Sequence, residues 1–431
     1  MNIFGWVVLT AATIVGSQWF LLKRYGRNWF LTLPGLFLLY HIVFNVIGGV
    51  YVVNGLGPAE VKYLSALLLG VVVHTLAPVI ADTILHRNLR YELDNFLVAP
   101  MSGLNDTTGF RVSFMLLAGA SIAISVYYLS LLPSIPFFDM FKTSVAHSLA
   151  ISRDLATSSF AGKYHRFSFY FRNILPTLAL MTFAARMNWK NQFWNIAFLL
   201  TFVFTAFMHV NDVQKMPLIN FLGMTLLAYF IFKGRFEWKK VLWLTIIVIV
   251  ILVVMYQFIM GMFGQEIGKI ILTICERLFL AQTKGMYTAF RIYPERFDYL
   301  LGATIPNPAG IFPYKRFFLG YQVFAYTFGV KEVVGTAPTV YYTEFYCNFG
   351  YGAMIASMFL VSTLLQLFQL FLLRLPKNPL TIGFMAYWLL NASHVSISSI
   401  FEYFGIMFAV YWLHFGMMKL CKDIVDTDLK V

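Results

Sequence analysis

Six groups in this chain have the types and setting for chemistry on an anion. They are Arg153 and Arg172 in one segment, Arg291 and Arg296 in another, and two proton-handling side chains, Glu344 and His209. Lys315 and Arg316 add charge to the second segment. Arginine's planar fork matches phosphate oxygens two at a time, and a diphosphate needs several fixed cations. When a bond to a diphosphate oxygen breaks, negative charge grows on the leaving oxygen. A cation placed there stabilises the transition state more than the ground state. Glu344 or His209 would then orient or deprotonate an attacking hydroxyl. Each also has a structural alternative: Glu344 as the partner of a nearby arginine, His209 as part of a solvated turn with Asp212 and Lys215.

The elements that must position these groups are membrane-spanning. Hydrophobic residues make up 59% of the 431 and charged residues 12%. Mean hydropathy is +0.72. Apolar runs of roughly 20 residues, enough to cross a hydrocarbon core, recur along the chain. They predict an all-α polytopic fold, one integral membrane domain over 1–431. Eleven spans are expected, near 3–22, 31–52, 62–84, 112–132, 170–186, 191–208, 217–233, 241–261, 346–373, 380–398 and 402–419. The first lacks a basic n-region and a cleavage site, so it reads as a span and not as a signal peptide.

Alternate loops then separate by charge. One set carries Lys23, Arg24, Arg27, Arg87, Arg90, Arg111, Arg186, Lys190, Lys233, Arg235, Lys239, Lys240, Arg374, Lys377, Lys419 and Lys422; the short loops of the other carry only Lys62 and Lys215. The positive-inside rule assigns the first set to the cytoplasm, with the N-terminus outside and the C-terminus inside. Loops 133–172 and 264–345 break this pattern, since they fall outside yet hold the arginines and lysines named above. An anionic ligand accounts for their charge; solvated surface and headgroup contact are the alternatives. Ile267, Ile270, Ile271, Ile274 and Leu278 predict an interfacial amphipathic helix over 266–281. Turn-forming residues then dominate beyond Arg296.

Other groups have simpler readings. His41 and His74, mid-span, suit hydrogen-bonded packing better than a proton relay. Asp426 and Asp428 resemble a metal-binding DxD pair but belong to a charged tail. His394 and Glu402 lie near outer span ends. Cys275 and Cys347 could pair only if both face an oxidising compartment; three cysteines make neither a disulfide framework nor a zinc site. The net charge of +13 is spread between spans without a nucleic-acid-binding motif. There is no phosphate-binding loop, dinucleotide fingerprint, hydrolase elbow or zincin motif.

Three further stretches carry a resemblance: Ile305-Pro-Asn-Pro-Ala-Gly-Ile-Phe-Pro313, Gly335 to Gly350 with Glu344 inside it, and Arg153 to Pro176. The entry Lys215-Met-Pro-Leu-Ile-Asn220 and the pair Arg291 and Gly302, with ten residues between them, add to it. With this layout the chain resembles the bacterial oligosaccharide repeat-unit polymerases, the Wzy group, which are similar to O-antigen ligases within the GT-C type membrane glycosyltransferases. The resemblance implies a GT-C-like fold with the large loop between spans 8 and 9 on the outer face of the bacterial inner membrane. It implies a glycosyltransferase that joins undecaprenyl-diphosphate-linked oligosaccharides without metal or other cofactor. In that reading Arg153, Arg172, Arg291, Arg296, Lys315 and Arg316 bind diphosphate; Glu344, His209 and Arg291 are catalytic. Membrane lipids, a flippase and a chain-length regulator are the implied partners. A ligase moving glycan to another acceptor, and a lipid-glycan transporter, are the rival readings.

Overall fold

The computed structural model describes residues 3–53, 55–139, 164–211, 215–259, 264–305, 313–329 and 337–394, with single positions at 160, 262 and 307. Among the described residues there is no strand. In chain order the helices are α1 (Ile3–Tyr25), α2 (Leu33–Tyr40), α3 (Gly48–Val52), α4 (Pro58–Ile84), α5 (Leu89–Val98), α6 (Thr108–Ser130), α7 (Pro136–Asp139), α8 (His165–Phe169), α9 (Leu175–Trp189), α10 (Gln192–Asn211), α11 (Lys215–Lys233), α12 (Trp238–Ile259), α13 (Ile267–Cys275), α14 (Ala281–Ile292), α15 (Leu319–Phe328), α16 (Tyr341–Phe349), α17 (Tyr351–Leu372) and α18 (Pro379–His394). π-helical turns at His41–Ile47, Tyr170–Ile174 and Glu276–Leu280 join α2 to α3, α8 to α9 and α13 to α14.

Helix starts follow local chemistry. Thr32 caps α2, its hydroxyl accepting from the Gly35 N–H at 3.1 Å with Pro34 just inside. Thr107 caps α6 in the same way through Phe110. α4 opens on Pro58 and carries Glu60 in its first turn.

Among the described residues, eight stretches are long and apolar enough to cross a membrane: α1, Leu33–Val52, α4, α6, α10, Met216–Lys233, Trp238–Gln257 and α17. They coincide with eight of the predicted spans, and the protein is an all-helical chain of membrane-protein character. The expected span 170–186 falls on α9, only 15 residues long behind its π turn. The span expected at 380–398 falls on α18, and the one at 402–419 lies outside the described residues.

One expectation needs correction and another gains detail. The span predicted from 346 begins only at Tyr351, because Gly350 (φ +85°) breaks α16 from α17 in a conformation that side chains rarely adopt. The amphipathic helix predicted over 266–281 runs as α-helix from Ile267 to Cys275 and passes through the π turn at Glu276–Leu280 into α14. Of its predicted apolar face, Ile270 and Ile274 are buried, while Ile267 and Ile271 are exposed.

The helices group into two compact units. The first holds α1 to α4 with the stretch Leu272–Leu373. Its core includes Trp29, Phe37, Tyr63, Phe290, Tyr341, Tyr342 and Tyr346. The second holds Asn95–Ile271 with Arg374–Leu390. There Phe110, Phe114, Ile174, Leu178, Met181 and Trp194 form one cluster, and Tyr128, Phe171, Leu175 and Met208 another.

Candidate functional site

The residues of α14 alternate in purpose around the helix. Met286, Ala289 and Phe290 are fully buried, with Phe290 stacked on Tyr346 at 4.3 Å between ring centroids. Lys284, Tyr287, Thr288 and Arg291 recur at three- and four-residue spacing, so they share the opposite face. Close packing holds the helix in place. A Cβ on Gly285 would lie 2.5 Å from the Pro338 carbonyl oxygen, so only glycine allows α14 this near the segment entering α16.

That polar face forms a wall of a cavity of about 790 Å³ within the first unit. Its lining includes Lys284, Arg291 and Arg296, the carboxylates Glu60 and Glu295, and the rings of Tyr51, Tyr287 and Tyr326. The volume lies within the range of small-molecule sites. Each cation is backed by an aromatic ring: Lys284 by Phe328 at 5.3 Å, Arg291 by Tyr287 at 5.6 Å and Arg296 by Tyr326 at 5.2 Å. Such stacking restrains the charged heads without neutralising them.

Glu60 anchors the other side. Its Oε1 accepts from the Tyr287 hydroxyl at 2.7 Å and lies 3.7 Å from Arg291 Nε; its Oε2 accepts from the Gly57 N–H at 3.0 Å. Burial, and next the bond to Glu60, push the Tyr287 hydroxyl up to about 12, so at neutral pH it stays a donor. Glu60 is thus a fixed acceptor with one close cation, while Lys284 and Arg296 face the cavity without a carboxylate bound to them among the described residues.

The residues singled out in the sequence are distributed as follows. Arg291 and Arg296 come together at the cavity. Lys315 is exposed, and Arg316 donates to the Thr304 carbonyl at 3.4 Å and lies over Phe318; neither lines the cavity. Glu344 is half-buried on α16, 3.5 Å from the Thr339 hydroxyl, and is not among the lining residues either. Arg172 and His209 belong to the second unit. Arg172 lies over the Tyr164 ring, and His209 is buried with Nδ1 2.9 Å from the Thr205 carbonyl, which makes Nδ1 the protonated nitrogen. His209 therefore sits inside α10 and not in a turn. Arg153, Asp212, Glu402, Asp426 and Asp428 lie outside the described residues, as does the side chain of His394.

Asn348 has a structural role. Its amide accepts from the Gly302 N–H at 2.8 Å and donates to Thr304 and to the Glu344 carbonyl, strapping the turn at 300–305 onto the end of α16. Gly302, the second member of the Arg291 pair, has φ +93° in that turn. Cys275 and Cys347 are both free, one exposed and one buried. His41 and His74 form a buried polar cluster: His41 meets the Leu67 carbonyl and Asn45, and His74 meets Ser362 and Tyr341. Both ring nitrogens of each are engaged, which is the packing reading.

Sequence reasoning missed Glu60 and Tyr287 and gave Lys284 no role. Glu60 was findable, since a carboxylate in the first turn of a long apolar helix invites the inference drawn for Glu344. Lys284, Tyr287 and Arg291 were findable from their helical spacing. No protein-family model, curated protein or solved structure matches this chain.

Proposed function

We propose that this protein is a GT-C type membrane glycosyltransferase that joins polyprenyl-diphosphate-linked oligosaccharide repeat units on the outer face of a bacterial inner membrane. The observation that carries the reading is the ring-backed cavity lined by Lys284, Arg291 and Arg296 together with Glu60 and Glu295. Three restrained cations suit a diphosphate, and flanking tyrosine rings suit sugar faces. The resemblance of the Gly335–Gly350 and Arg153–Pro176 stretches to repeat-unit polymerases points the same way.

In this reaction an acceptor hydroxyl attacks the anomeric carbon of the donor. The new carbon–oxygen bond forms as the bond to the diphosphate oxygen breaks. Lipid diphosphate leaves with the electron pair, and the hydroxyl proton passes to a base. Lys284 and Arg296 hold the diphosphate, and Arg291 moves from Glu60 toward the charge that grows on the leaving oxygen. Glu60 joins Glu344 and His209 as a candidate to orient the acceptor hydroxyl. Arg153 and Arg172 remain candidates for the second diphosphate, and Lys315 and Arg316 for the outer rim.

The test is direct. Purified protein in phospholipid vesicles, supplied with lipid-diphosphate-linked repeat units, is expected to lengthen them. The Lys284→Ala, Arg296→Ala double variant is expected to slow this by about 100-fold or more. Folded wild-type protein that carries the intact donor across the bilayer and never elongates it would overturn the reading in favour of transport.

A further inference from the structure

A second group of cations has no role in that reaction. Arg186, Lys190 and Lys233 line a depression of about 580 Å³ in the second unit, together with Asn188, Asn195 and Phe232. Arg186 comes from the last turn of α9, and Lys190 follows it in a left-handed conformation (φ 52°) that ends the helix. Lys233 is the last residue of α11, and Asn195 belongs to the first turn of α10. Helix ends converge here, on the side that charge bias assigns to the cytoplasm.

Five other cations of the same sequence set are paired with carboxylates. Arg87 pairs with Glu92, Arg90 with Asp94, Arg111 with Asp106, and both Arg235 and Lys240 with Glu237. By contrast, no Asp or Glu lines the depression, and among the described residues Arg186, Lys190 and Lys233 form no ion pair. Arg186 rests on the Phe198 ring at 5.0 Å, which restrains its guanidinium without cancelling its charge. Cations near helix C-termini are expected from the helix dipole alone. The dipole does not explain why three of them share one concavity with two amide side chains and no acid.

We infer that this depression is a binding site for a phosphate group, and that its occupant is the headgroup of an anionic phospholipid. Two of the helices that frame it, α10 and α11, are long and apolar enough to span a membrane, so their ends lie at headgroup depth. A phosphodiester offers oxygens to Arg186 and the lysines, while Asn188 and Asn195 suit the glycerol or sugar hydroxyls of such headgroups. The site is independent of the glycan reaction.

Native mass spectrometry of the full chain in mixed micelles provides the test, with phosphatidylglycerol and phosphatidylcholine of identical chains offered together. The wild type is expected to retain phosphatidylglycerol preferentially. The Arg186→Gln, Lys190→Gln, Lys233→Gln variant is expected to lose about tenfold or more of that preference. A control of equal charge change, Arg87→Gln, Arg235→Gln, Lys240→Gln, is expected to keep it. Equal loss in both triples, or loss in neither, would overturn the site. Inorganic phosphate at millimolar concentration separates the sources: retention of lipid in its presence supports a membrane occupant, and displacement overturns that occupant in favour of a soluble phosphate.

Discussion

Glu60 and Asp106 stand in matching places, in the first turn of α4 and just ahead of α6, each beside an arginine. Their surroundings differ in what they leave over. Asp106 accepts from Arg111 Nε and Nη2 at 2.8 and 2.6 Å, from Asn191 Nδ2 at 2.6 Å and from Trp194 Nε1 at 3.0 Å. Four donors fill its two oxygens and tie the loop ahead of α6 to the start of α10. Glu60 has two hydrogen bonds and a looser arginine at 3.7 Å, and it borders a cavity. The carboxylate–arginine motif is thus saturated in one unit and open in the other. Capacity left over beside a cavity, and not charge alone, separates a candidate site from a structural hub.

The comparison breaks most sharply at the arginines. Arg291→Ala is expected to cut elongation of lipid-linked units by about 100-fold or more, with membrane insertion intact. It should barely move the thermal midpoint, because the Arg291 side chain is 59% exposed and such pairs contribute about 1 kcal/mol or less. Arg111→Ala is expected to do the reverse, lowering the midpoint while the protein that remains folded keeps its turnover. Normal chain lengths from Arg291→Ala would remove that residue from the site.

Next in size is Asp106→Ala, which leaves the Trp194 and Asn191 donors and the Arg111 guanidinium without their acceptor. A loss of about 1–3 kcal/mol is expected from the unmet hydrogen bonds, read by thermal unfolding in detergent. Gly285→Ala should have a smaller effect on folding and a selective one on turnover. Its Cβ would press α14 off the Pro338 carbonyl and shift Lys284 and Arg291 together. A rate equal to wild type in that variant would show that the α14 wall tolerates displacement.

How much of this was legible before the structure depends on range. The spans were legible because burial in lipid demands long apolar runs, and eight of them reappear as helices. The break at Gly350 and the π turn at Glu276–Leu280 were not, since an apolar pattern continues through both. Arg291 and Arg296 stood out by charge in a loop that the positive-inside rule leaves poor in lysine and arginine. Glu60 is 227 residues from Tyr287, its hydrogen-bond partner, and no local pattern announces such a pairing. Glu344 drew attention through its place in a family-like stretch, yet the cavity wall is made by α14, where only helical spacing ties Lys284 and Tyr287 to Arg291.

The smallest effect is a pH dependence, and it tests the saturated half of the comparison alone. Hydrogen bonds from Arg111, and then from Trp194 and Asn191, outweigh burial and hold the Asp106 carboxyl below the usual carboxylate range. A carboxyl with a depressed folded pKa contributes its full stabilisation above its unfolded value of about 4. It loses that contribution as pH falls through the folded value. The wild-type thermal midpoint is therefore expected to decline on acidification below about pH 4. Asp106→Asn, already less stable at neutral pH, should show a shallower decline over the same window because it has no proton to take up there. Parallel acid limbs in the two proteins would mean that Asp106 is not held ionised by its four donors, and the contrast with Glu60 would then rest on the cavity alone.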